Sequence, residues 1–211
     1  MTNAQSAIQV ADWRQRVFAL YDEVRMLALV DPESAHGAWR DGRDDLFRTH
    51  PQTPLLAEDR PGFTGLPVAP YDPAWRFEVE ITAPDAPGGF DFETGTDGIV
   101  PFELVGHASI DEVGRLDVWR LRSYGGGLFI PVRDGLAGTS GGTYGGGRYL
   151  IDSIKGAHLG LGATAGSLVL DFNFAYNPSC AYDPAWACPL APLGNRVTAD
   201  IPVGELYSGA H

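Results

Sequence analysis

The chain has 211 residues, 44% of them hydrophobic and 11% aromatic, which is enough to build a packed core and excludes a disordered chain. Its formal net charge of −12 argues against nucleic acid and anionic membrane surfaces as partners, because binding to both depends on Lys and Arg. No segment approaches the roughly 18 apolar residues of a membrane span, and the N-terminus lacks the basic start and apolar run of a signal peptide. We therefore expect one soluble domain in the cytoplasm.

Two helices are predicted within the first 50 residues. The first carries apolar residues at intervals of three and four, the period of an amphipathic helix, at Trp13, Val17, Leu20, Val24 and Leu27. For the second helix, Asp31 is placed as the N-cap, Pro32 at the first helical position and Glu33 in the first turn. This helix should run toward Phe47 and end before the prolines of "THPQTP".

Residues 51–74 contain six prolines and are predicted to form an extended connection that wraps the surface. From Trp75 onward, short β-rich runs are separated by glycine. The first run, "WRFEVEI", alternates apolar and charged residues as a half-buried strand does. Further strands are predicted in "PFELVGHASI", "GRLDVWRLRS", "GLFIPVRD", "GGTYGGGRYLID", "GSLVLDFN" and "NRVTADIPV". The segment "SYGGG" predicts a hairpin, because glycine adopts positive φ readily.

No helical pattern separates these strands, so the sheet should be mostly antiparallel. The sequence therefore predicts an α+β fold, in which residues 75–211 form an antiparallel β barrel or sandwich of about seven or eight strands. The N-terminal helix pair in residues 1–50 and the proline-rich wrapping segment 51–74 would cap this β domain.

The pentapeptide "YDPAW" occurs at residues 71–75 and again at 182–186, between the two cysteines Cys180 and Cys188. Asp-Pro favours a turn, so both copies are expected to adopt the same local structure, with the Tyr and Trp packed on it. The seven residues between the cysteines, with no histidine nearby, argue against a zinc site, and no metal is predicted. Three states stay open for the thiols: a disulfide contributing about 2.5 kcal/mol, two buried free thiols, or a reactive redox pair.

Four separated motifs resemble the C-terminal signature of a bacterial and archaeal family of domains of unknown function, number sixteen eighty-four. The motifs are "TYGGGRYL" (143–150), "LDFNFAYNPSCAY" (170–182), "CPLAPLGN" (188–195) and "IPVGE" (201–205). The segment "FRTHPQTPL" and the first "YDPAW" extend the resemblance over most of the chain. The resemblance implies no particular reaction. One departure, a missing acid in "CPLAPLGN", makes that position a poor candidate for essential chemistry.

The glycine-rich stretch "GTSGGTYGGGRYL" does not match a phosphate-binding loop, since its basic residue is Arg148 and its flanks are predicted strands. Two interpretations stay open: a bulged hairpin packed under an aromatic residue, or a pocket lined by Tyr144, Arg148 and Tyr149. In the pocket, Arg148 would bind a carboxylate or phosphate through two hydrogen bonds.

Polar residues continue the apolar run "LVL" in the segment "LDFNFAYN". Strand alternation would place Asp171 and Asn173 on one face and Tyr176 on the other, at a barrel mouth where ligands often bind. The alternative is that Asp171 and Asn173 cap the turns that follow.

Three further segments contain ionisable residues. Arg133 and Asp134 in "PVRDG" predict a turn with a surface ion pair. His107, the only histidine within a predicted strand, is either a general base or a hydrogen-bonded residue of the barrel. Glu205 in "VGELY" would act as an acid or base if buried, but a strand at the end of the chain is expected to leave it solvated.

Together these residues predict a small-molecule-binding β domain, or a cofactor-free enzyme that uses acid/base chemistry on an anionic or polar small substrate. In that enzyme Arg148 would anchor the anionic group, Asp171 or His107 would move a proton, and Tyr144 would donate to an oxyanion. The other ligand-binding candidates are Arg133, Tyr149, Asn173 and Tyr176. The alternatives are a structural or protein-interaction domain without a pocket, and a metal or thiol redox site at the cysteines. No cofactor is predicted, and the sequence does not indicate the oligomeric state.

Overall fold

The computed structural model describes residues 3–93 and 98–207 and confirms the predicted α+β fold. Within these ranges, two α-helices precede a sheet of seven strands. The helices are α1 (Asn3–Ala28) and α2 (Pro32–Thr49). The strands are β1 (Arg76–Thr82), β2 (Gly89–Glu93), β3 (Ile99–Ile110), β4 (Gly114–Leu121), β5 (Leu128–Val132), β6 (Arg148–Asp152) and β7 (Ser167–Asp171).

The sequence signals at both ends of α2 act as predicted. The Asp31 carboxylate accepts a hydrogen bond from the Ser34 backbone N–H at 3.1 Å, and Pro32 opens the helix. The helix ends at Thr49 because His50 precedes a proline and is extended, with a ψ of 135°. Among the residues described, no helix combines the length and the apolar character that crossing a membrane requires.

The seven strands form one curled antiparallel sheet, a half-barrel, in the order β6-β5-β4-β3-β1-β7, with β2 also paired to β3. β3 has a bulge between Leu104 and Gly106, where a side chain at position 106 would meet the Thr82 carbonyl oxygen at 2.7 Å. Beyond β7 the chain returns to β6, and Tyr149 and Tyr176 exchange two backbone hydrogen bonds of 2.8 and 3.0 Å. This bridge ties the two ends of the curled sheet together.

Some local strand predictions are wrong. The segment "NRVTADIPV" contains no strand: its backbone forms an isolated bridge between Arg133 and Arg196, and its Ala199 carbonyl oxygen accepts the Gly135 N–H at 2.8 Å. The alternation predicted for "LDFNFAYN" fails because β7 ends at Asp171, whose carboxylate caps a short 3₁₀ turn over residues 172–174. Strand β2, in "GFDFE", was not predicted. The hairpin at "SYGGG" is confirmed, since all three glycines have positive φ.

Apolar side chains pack on both faces of the sheet, as strand alternation requires. One face carries the main core, whose fully buried members include Leu116, Ile130, Leu170 and Ile201. The other face carries an aromatic cluster of Phe90, Phe102, Trp119, Phe129 and Tyr149. The helices pack against the segment after β7, where the rings of Trp39 and Phe174 lie 5.4 Å apart.

The proline-rich segment contains turns and a 3₁₀ helix at Arg60–Gly62, so it is not extended throughout, and it is held by two partners. Its Leu66 N–H donates to the Asp44 carboxylate of α2 at 2.8 Å. It also pairs with residues 201–207, the C-terminal segment, through two backbone hydrogen bonds of 2.9 and 2.7 Å. The proline-rich segment therefore connects α2 to the last described residues of the chain.

Replacing His36 with phenylalanine is expected to weaken the acid sensitivity of the fold. His36 is only 4% exposed and packs against Trp39, Tyr71 and Phe174, and its burial lowers the pKa of the imidazole to about 4. The unfolded chain binds this proton near pH 6.5, so the stability from this group is complete above pH 6.5 and is lost as the pH falls toward 4. Between pH 7 and 4, urea unfolding should show wild type losing about 2 kcal/mol more than His36→Phe. Equal losses in the two proteins would contradict this assignment.

Candidate functional site

Arg148 lies at the start of β6 and is completely buried. Its Nη2 pairs with the Asp134 carboxylate at 2.8 Å and donates to the Ile201 carbonyl oxygen at 3.0 Å. Its Nη1 donates to the carbonyl oxygens of Val203 and Glu205. Arg148 thus fastens the C-terminal segment to the sheet. Its predicted role as the anchor of an anionic ligand gains no support from this geometry.

The surface ion pair predicted between Arg133 and Asp134 is wrong. Asp134 is 2% exposed, pairs with Arg148 instead, and accepts a hydrogen bond from the Thr143 hydroxyl at 2.9 Å. Arg133 donates its Nε–H to the Gly145 carbonyl oxygen at 2.9 Å. Neighbouring residues at a strand end point to opposite sides, which explains why only Asp134 reaches the interior.

Asp171 and Asn173 cap turns, which was the second interpretation of their motif. The Asp171 carboxylate accepts the Asn173 backbone N–H at 3.1 Å and pairs with Arg76 at 3.0 Å. The Asn173 side chain bonds the backbone N–H and the carbonyl oxygen of Asp72, each at 2.8 Å. Burial raises the pKa of Asp171. These contacts fix the first "YDPAW" loop against the end of β7.

The two copies of "YDPAW" form the same turn, as expected. The Asp72 carboxylate accepts the Ala74 N–H at 2.9 Å, and the Asp183 carboxylate accepts the Ala185 N–H at 2.9 Å. The aromatic packing predicted for the second copy is wrong in part, because Trp186 is 45% exposed. The repeated pentapeptide therefore encodes a local turn.

The three tyrosines predicted for the site use their hydroxyls within the protein. Tyr149 donates to the Pro189 carbonyl oxygen at 2.8 Å, Tyr144 to the Cys180 carbonyl oxygen at 3.3 Å, and Tyr176 to the Asp152 carboxylate at 3.3 Å. Burial raises the pKa of all three phenols. All three are therefore neutral near pH 7.

His107 and Asp117 form a pair across β3 and β4. The His107 Nδ1 lies 2.8 Å from Asp117 Oδ1, and both residues are 8% exposed. A carboxylate on one ring nitrogen fixes the tautomer of the imidazole, which is an arrangement that general bases use. Neither residue lines the cleft described below. A general-base role for His107 stays a prediction.

Cys180 and Cys188 are free, half-buried thiols, and the Tyr144 hydroxyl lies 3.7 Å from the Cys180 sulfur. The neighbouring Cys180 thiol lowers the pKa of Cys188, while the Cys188 thiol and burial raise the pKa of Cys180. In the described ranges, no group of three or more His, Cys, Asp or Glu side chains is placed to hold a metal ion.

A cleft of about 390 Å³ lies between the proline-rich segment and the residues that follow β7. Residues 55–67 supply most of one wall. The opposite side is formed by Asn177, Ala181, Tyr182, Leu206 and Tyr207. Most lining side chains are apolar or aromatic, and Leu55, Phe63 and Leu66 are among them. This volume lies within the range known for sites that bind small molecules.

Glu205 lies behind the cleft and is completely buried, so the expectation of a solvated residue is wrong. It is buried because the proline-rich segment pairs with the C-terminal segment and covers it. Its Oε2 pairs with Arg43 at 2.6 Å and accepts the Asn177 N–H at 3.0 Å, and the Tyr182 hydroxyl donates to Oε1. Burial raises the pKa of Glu205. The network positions Asn177 and Tyr182, the two polar groups that it shares with the cleft.

The charged residues that the structure describes along the cleft are all acidic. Its described lining residues include two acids, Glu58 and Asp59, and no base. Asn177 donates from Nδ2 to the Leu206 carbonyl oxygen at 3.0 Å, but its buried Oδ1 has no hydrogen-bond partner among the described residues. The cleft therefore carries negative charge, which suits a ligand with a cationic or neutral N–H group.

The fold and this cleft define an α+β protein built on an antiparallel half-barrel, with its proline-rich segment forming one wall of a cleft. The chain belongs to the family described as "Protein of unknown function (DUF1684)", which matches residues 61–206 and confirms the resemblance of the four motifs. It is similar to an uncharacterised protein of Haloarcula marismortui solved by NMR in solution. The two are 33% identical over 86% of this chain and 97% of that one, with a TM-score of 0.59. No curated protein matches the chain.

None of the residues predicted for the site lines the cleft. Sequence reasoning missed Asn177 and Tyr182 as lining residues, although both lie in the motif "LDFNFAYNPSCAY" beside the predicted ones. A signal for Glu205 was present in "IPVGELY", where a single acid is flanked by apolar residues on both sides. Together with the prolines of residues 51–74, such an acid indicates that Glu205 is buried under another segment of the chain.

Proposed function

We propose that this protein binds a small molecule in the cleft lined by Asn177 and Tyr182. The observation that carries the proposal is a largely apolar cleft whose described lining includes two acids, Glu58 and Asp59, and no base. The site lacks the cationic anchor for an anionic group that was expected at Arg148, so the proposed ligand is an apolar or aromatic body with a cationic or neutral N–H group.

Acid/base chemistry on such a ligand would use Tyr182. Its hydroxyl is bonded to Glu205, and it lies on the cleft, whereas Asp171, His107 and Tyr144 do not. Glu205 itself is enclosed by Arg43 and the Asn177 N–H, so its role is to hold and polarise the Tyr182 hydroxyl. The proposal places the protein in the cytoplasm, where free thiols such as Cys180 and Cys188 persist.

Three probes with one aromatic ring and different charge test the site: benzylamine, phenol and benzoate. We expect benzylamine to bind most tightly, with a dissociation constant of about 1 mM, and benzoate to bind least, because the cleft carries Glu58 and Asp59. Binding is measured by NMR titration of the isotope-labelled protein, following the backbone amides of Leu66 and Asn177.

A pair of neighbouring leucines provides the matched control. Leu55 lines the cleft and Leu56 does not, and both are half-buried. We expect Leu55→Trp to abolish benzylamine binding by filling the cleft and Leu56→Trp to leave it intact. Equal binding to both variants, or tighter binding of benzoate than of benzylamine, would contradict the proposed site.

A protein-interaction role is the second candidate, because apolar side chains on and just after α1 are exposed. Met26 is 68% exposed, Leu29 78% and Val30 89%. Apolar groups clustered on a surface often mark an interaction site. The same titration separates the two functions, since an interaction domain without a ligand site predicts no selective response at Leu66 or Asn177 to any of the three probes.

A further inference from the structure

We propose that His107 and Asp117 form a second site, at which the imidazole attacks activated acyl groups such as carboxylic esters with a good leaving group. Neither residue lines the cleft, so the proposal is independent of the proposed ligand site. It rests on the hydrogen bond between the two side chains and on the motif "CPLAPLGN", for which the proposed function has no role.

The sheet places the two side chains next to each other. His107 on β3 and Asp117 on β4 are direct partners in the antiparallel register, so both project from the same face. The His107 Nδ1 lies 2.8 Å from Asp117 Oδ1. Because a carboxylate can only accept, Nδ1 carries the hydrogen, and Nε2 of the neutral imidazole keeps its lone pair.

This second ring nitrogen is open to a reactant. No described residue bonds to His107 Nε2, and the atom is not among the buried unpaired ones, so it reaches the surface. The other histidines with described contacts differ. In His50 and His158 the Nδ1 accepts a backbone N–H, and the Nε2 of His36 is enclosed. Only His107 among these combines a carboxylate on Nδ1 with an open Nε2.

The motif "CPLAPLGN" holds the carboxylate in place. Its Gly194 packs directly on Asp117, where any side chain would collide with the carboxylate. Its Asn195 is completely buried, donates from Nδ2 to the Asp117 carbonyl oxygen at 2.8 Å and accepts the Trp119 indole N–H at 2.7 Å. Because Asp117 is fixed, it fixes the imidazole in turn. Asp117 is therefore a positioning residue, and His107 is the catalytic residue.

The reaction proceeds in two steps and consumes only water. The His107 Nε2 lone pair attacks the ester carbonyl carbon, the bond from that carbon to the leaving oxygen breaks, and the acyl group is transferred to Nε2. The Asp117 carboxylate stabilises the positive charge that the imidazole gains. Water then adds to the acyl carbon and the C–N bond breaks, which releases the carboxylic acid and restores the neutral imidazole. The proton lost by water neutralises the leaving oxyanion.

Hydrolysis of p-nitrophenyl acetate at pH 7.5 tests the site. The protein is first treated with iodoacetamide, because the free thiols Cys180 and Cys188 would also react with this ester. Wild type should release p-nitrophenolate faster than buffer alone, and His107→Gln should lower the protein-dependent rate at least about tenfold. His158→Gln is the matched control and should leave the rate unchanged, because His158 lacks a carboxylate on its Nδ1.

Asp117→Asn tests the positioning role. The asparagine amide can donate to Nδ1, which moves the imidazole hydrogen to Nε2 and removes the attacking lone pair. The rate should fall at least about tenfold, and ¹⁵N NMR of the labelled imidazole should show the hydrogen on Nδ1 in wild type and on Nε2 in the variant. A merely structural role would leave the position of this hydrogen unchanged.

Three results would overturn the proposal: a wild-type rate no higher than that of buffer, a wild-type rate in His107→Gln, or a wild-type imidazole with its hydrogen on Nε2. The first and third need no variant, so they decide the matter even if a substitution prevents folding. Circular dichroism confirms that each variant is folded. The benzylamine titration of the cleft is measured separately, so failure at one site is distinguishable from failure at the other.

Discussion

Replacing Arg148 with methionine is expected to lower the free energy of unfolding by about 3–5 kcal/mol. Methionine has a similar length but leaves the buried Asp134 carboxylate without its cation. It also removes the donors for the Ile201 carbonyl oxygen and for the carbonyl oxygens of Val203 and Glu205. The C-terminal segment would then be held mainly by its pairing with the proline-rich segment. Urea unfolding followed by tryptophan fluorescence measures the change.

Arg133 and Asp134 provide the controls for this prediction. Arg133 lies 15 residues before Arg148, and its side chain makes one hydrogen bond, to a carbonyl oxygen. Arg133→Met should therefore lower the free energy of unfolding by less than about 1 kcal/mol. Asp134→Asn keeps an acceptor for Thr143 but removes the charge. The double variant Arg148→Met with Asp134→Asn should therefore be more stable than the sum of the two single changes by about 1–2 kcal/mol. Strict additivity would show that the buried ion pair does not account for the loss.

The sequence was informative about elements whose signals are local. The N-cap at Asp31, the period of α1 and the glycines of "SYGGG" each act within a few residues, so their structures could be predicted without knowing the fold. Strands such as β1 could also be predicted, because alternation depends only on which face is buried. In contrast, "NRVTADIPV" has β-forming residues but forms an isolated bridge instead of a strand, and pairing over a distance cannot be read from composition.

The site was harder to predict because the same types of side chain can bind a ligand or stabilise the fold. An arginine between glycines and tyrosines suits an anion pocket, but three carbonyl oxygens that accept from Arg148 belong to residues more than 50 positions away. The burial of Glu205 depends in the same way on the proline-rich segment that covers it. Polar residues such as Arg148 and Glu205 could thus be recognised from the sequence. Whether each one binds a ligand or another part of the protein could be decided only from the fold.

Replacing Glu205 with leucine is expected to lower the free energy of unfolding by about 3–5 kcal/mol and to abolish benzylamine binding. The carboxylate is the only anion bonded to the Arg43 guanidinium in the described structure, and Arg43 is 11% exposed at its side chain. The rings of Trp39, Phe47 and Tyr176 surround that cation at 4.9–5.4 Å and cannot replace the carboxylate. Without Glu205, the Asn177 N–H and the Tyr182 hydroxyl also lose their acceptor, so the polar side of the cleft is no longer fixed. Urea unfolding and the NMR titration measure the two effects.

Replacing Arg43 with methionine tests the same pair from the other side, and its effect should depend on pH. Burial already raises the pKa of Glu205 above 4.5, and removing the Arg43 charge takes away the interaction that opposes this rise. The folded variant then holds a proton that the unfolded chain releases near pH 4.5, so stability falls as the pH rises through the folded pKa. Arg43→Met should lose more stability than wild type between pH 5 and 8, and adding Glu205→Leu should abolish that difference. If the slope persists in the double variant, a group other than Glu205 carries the proton.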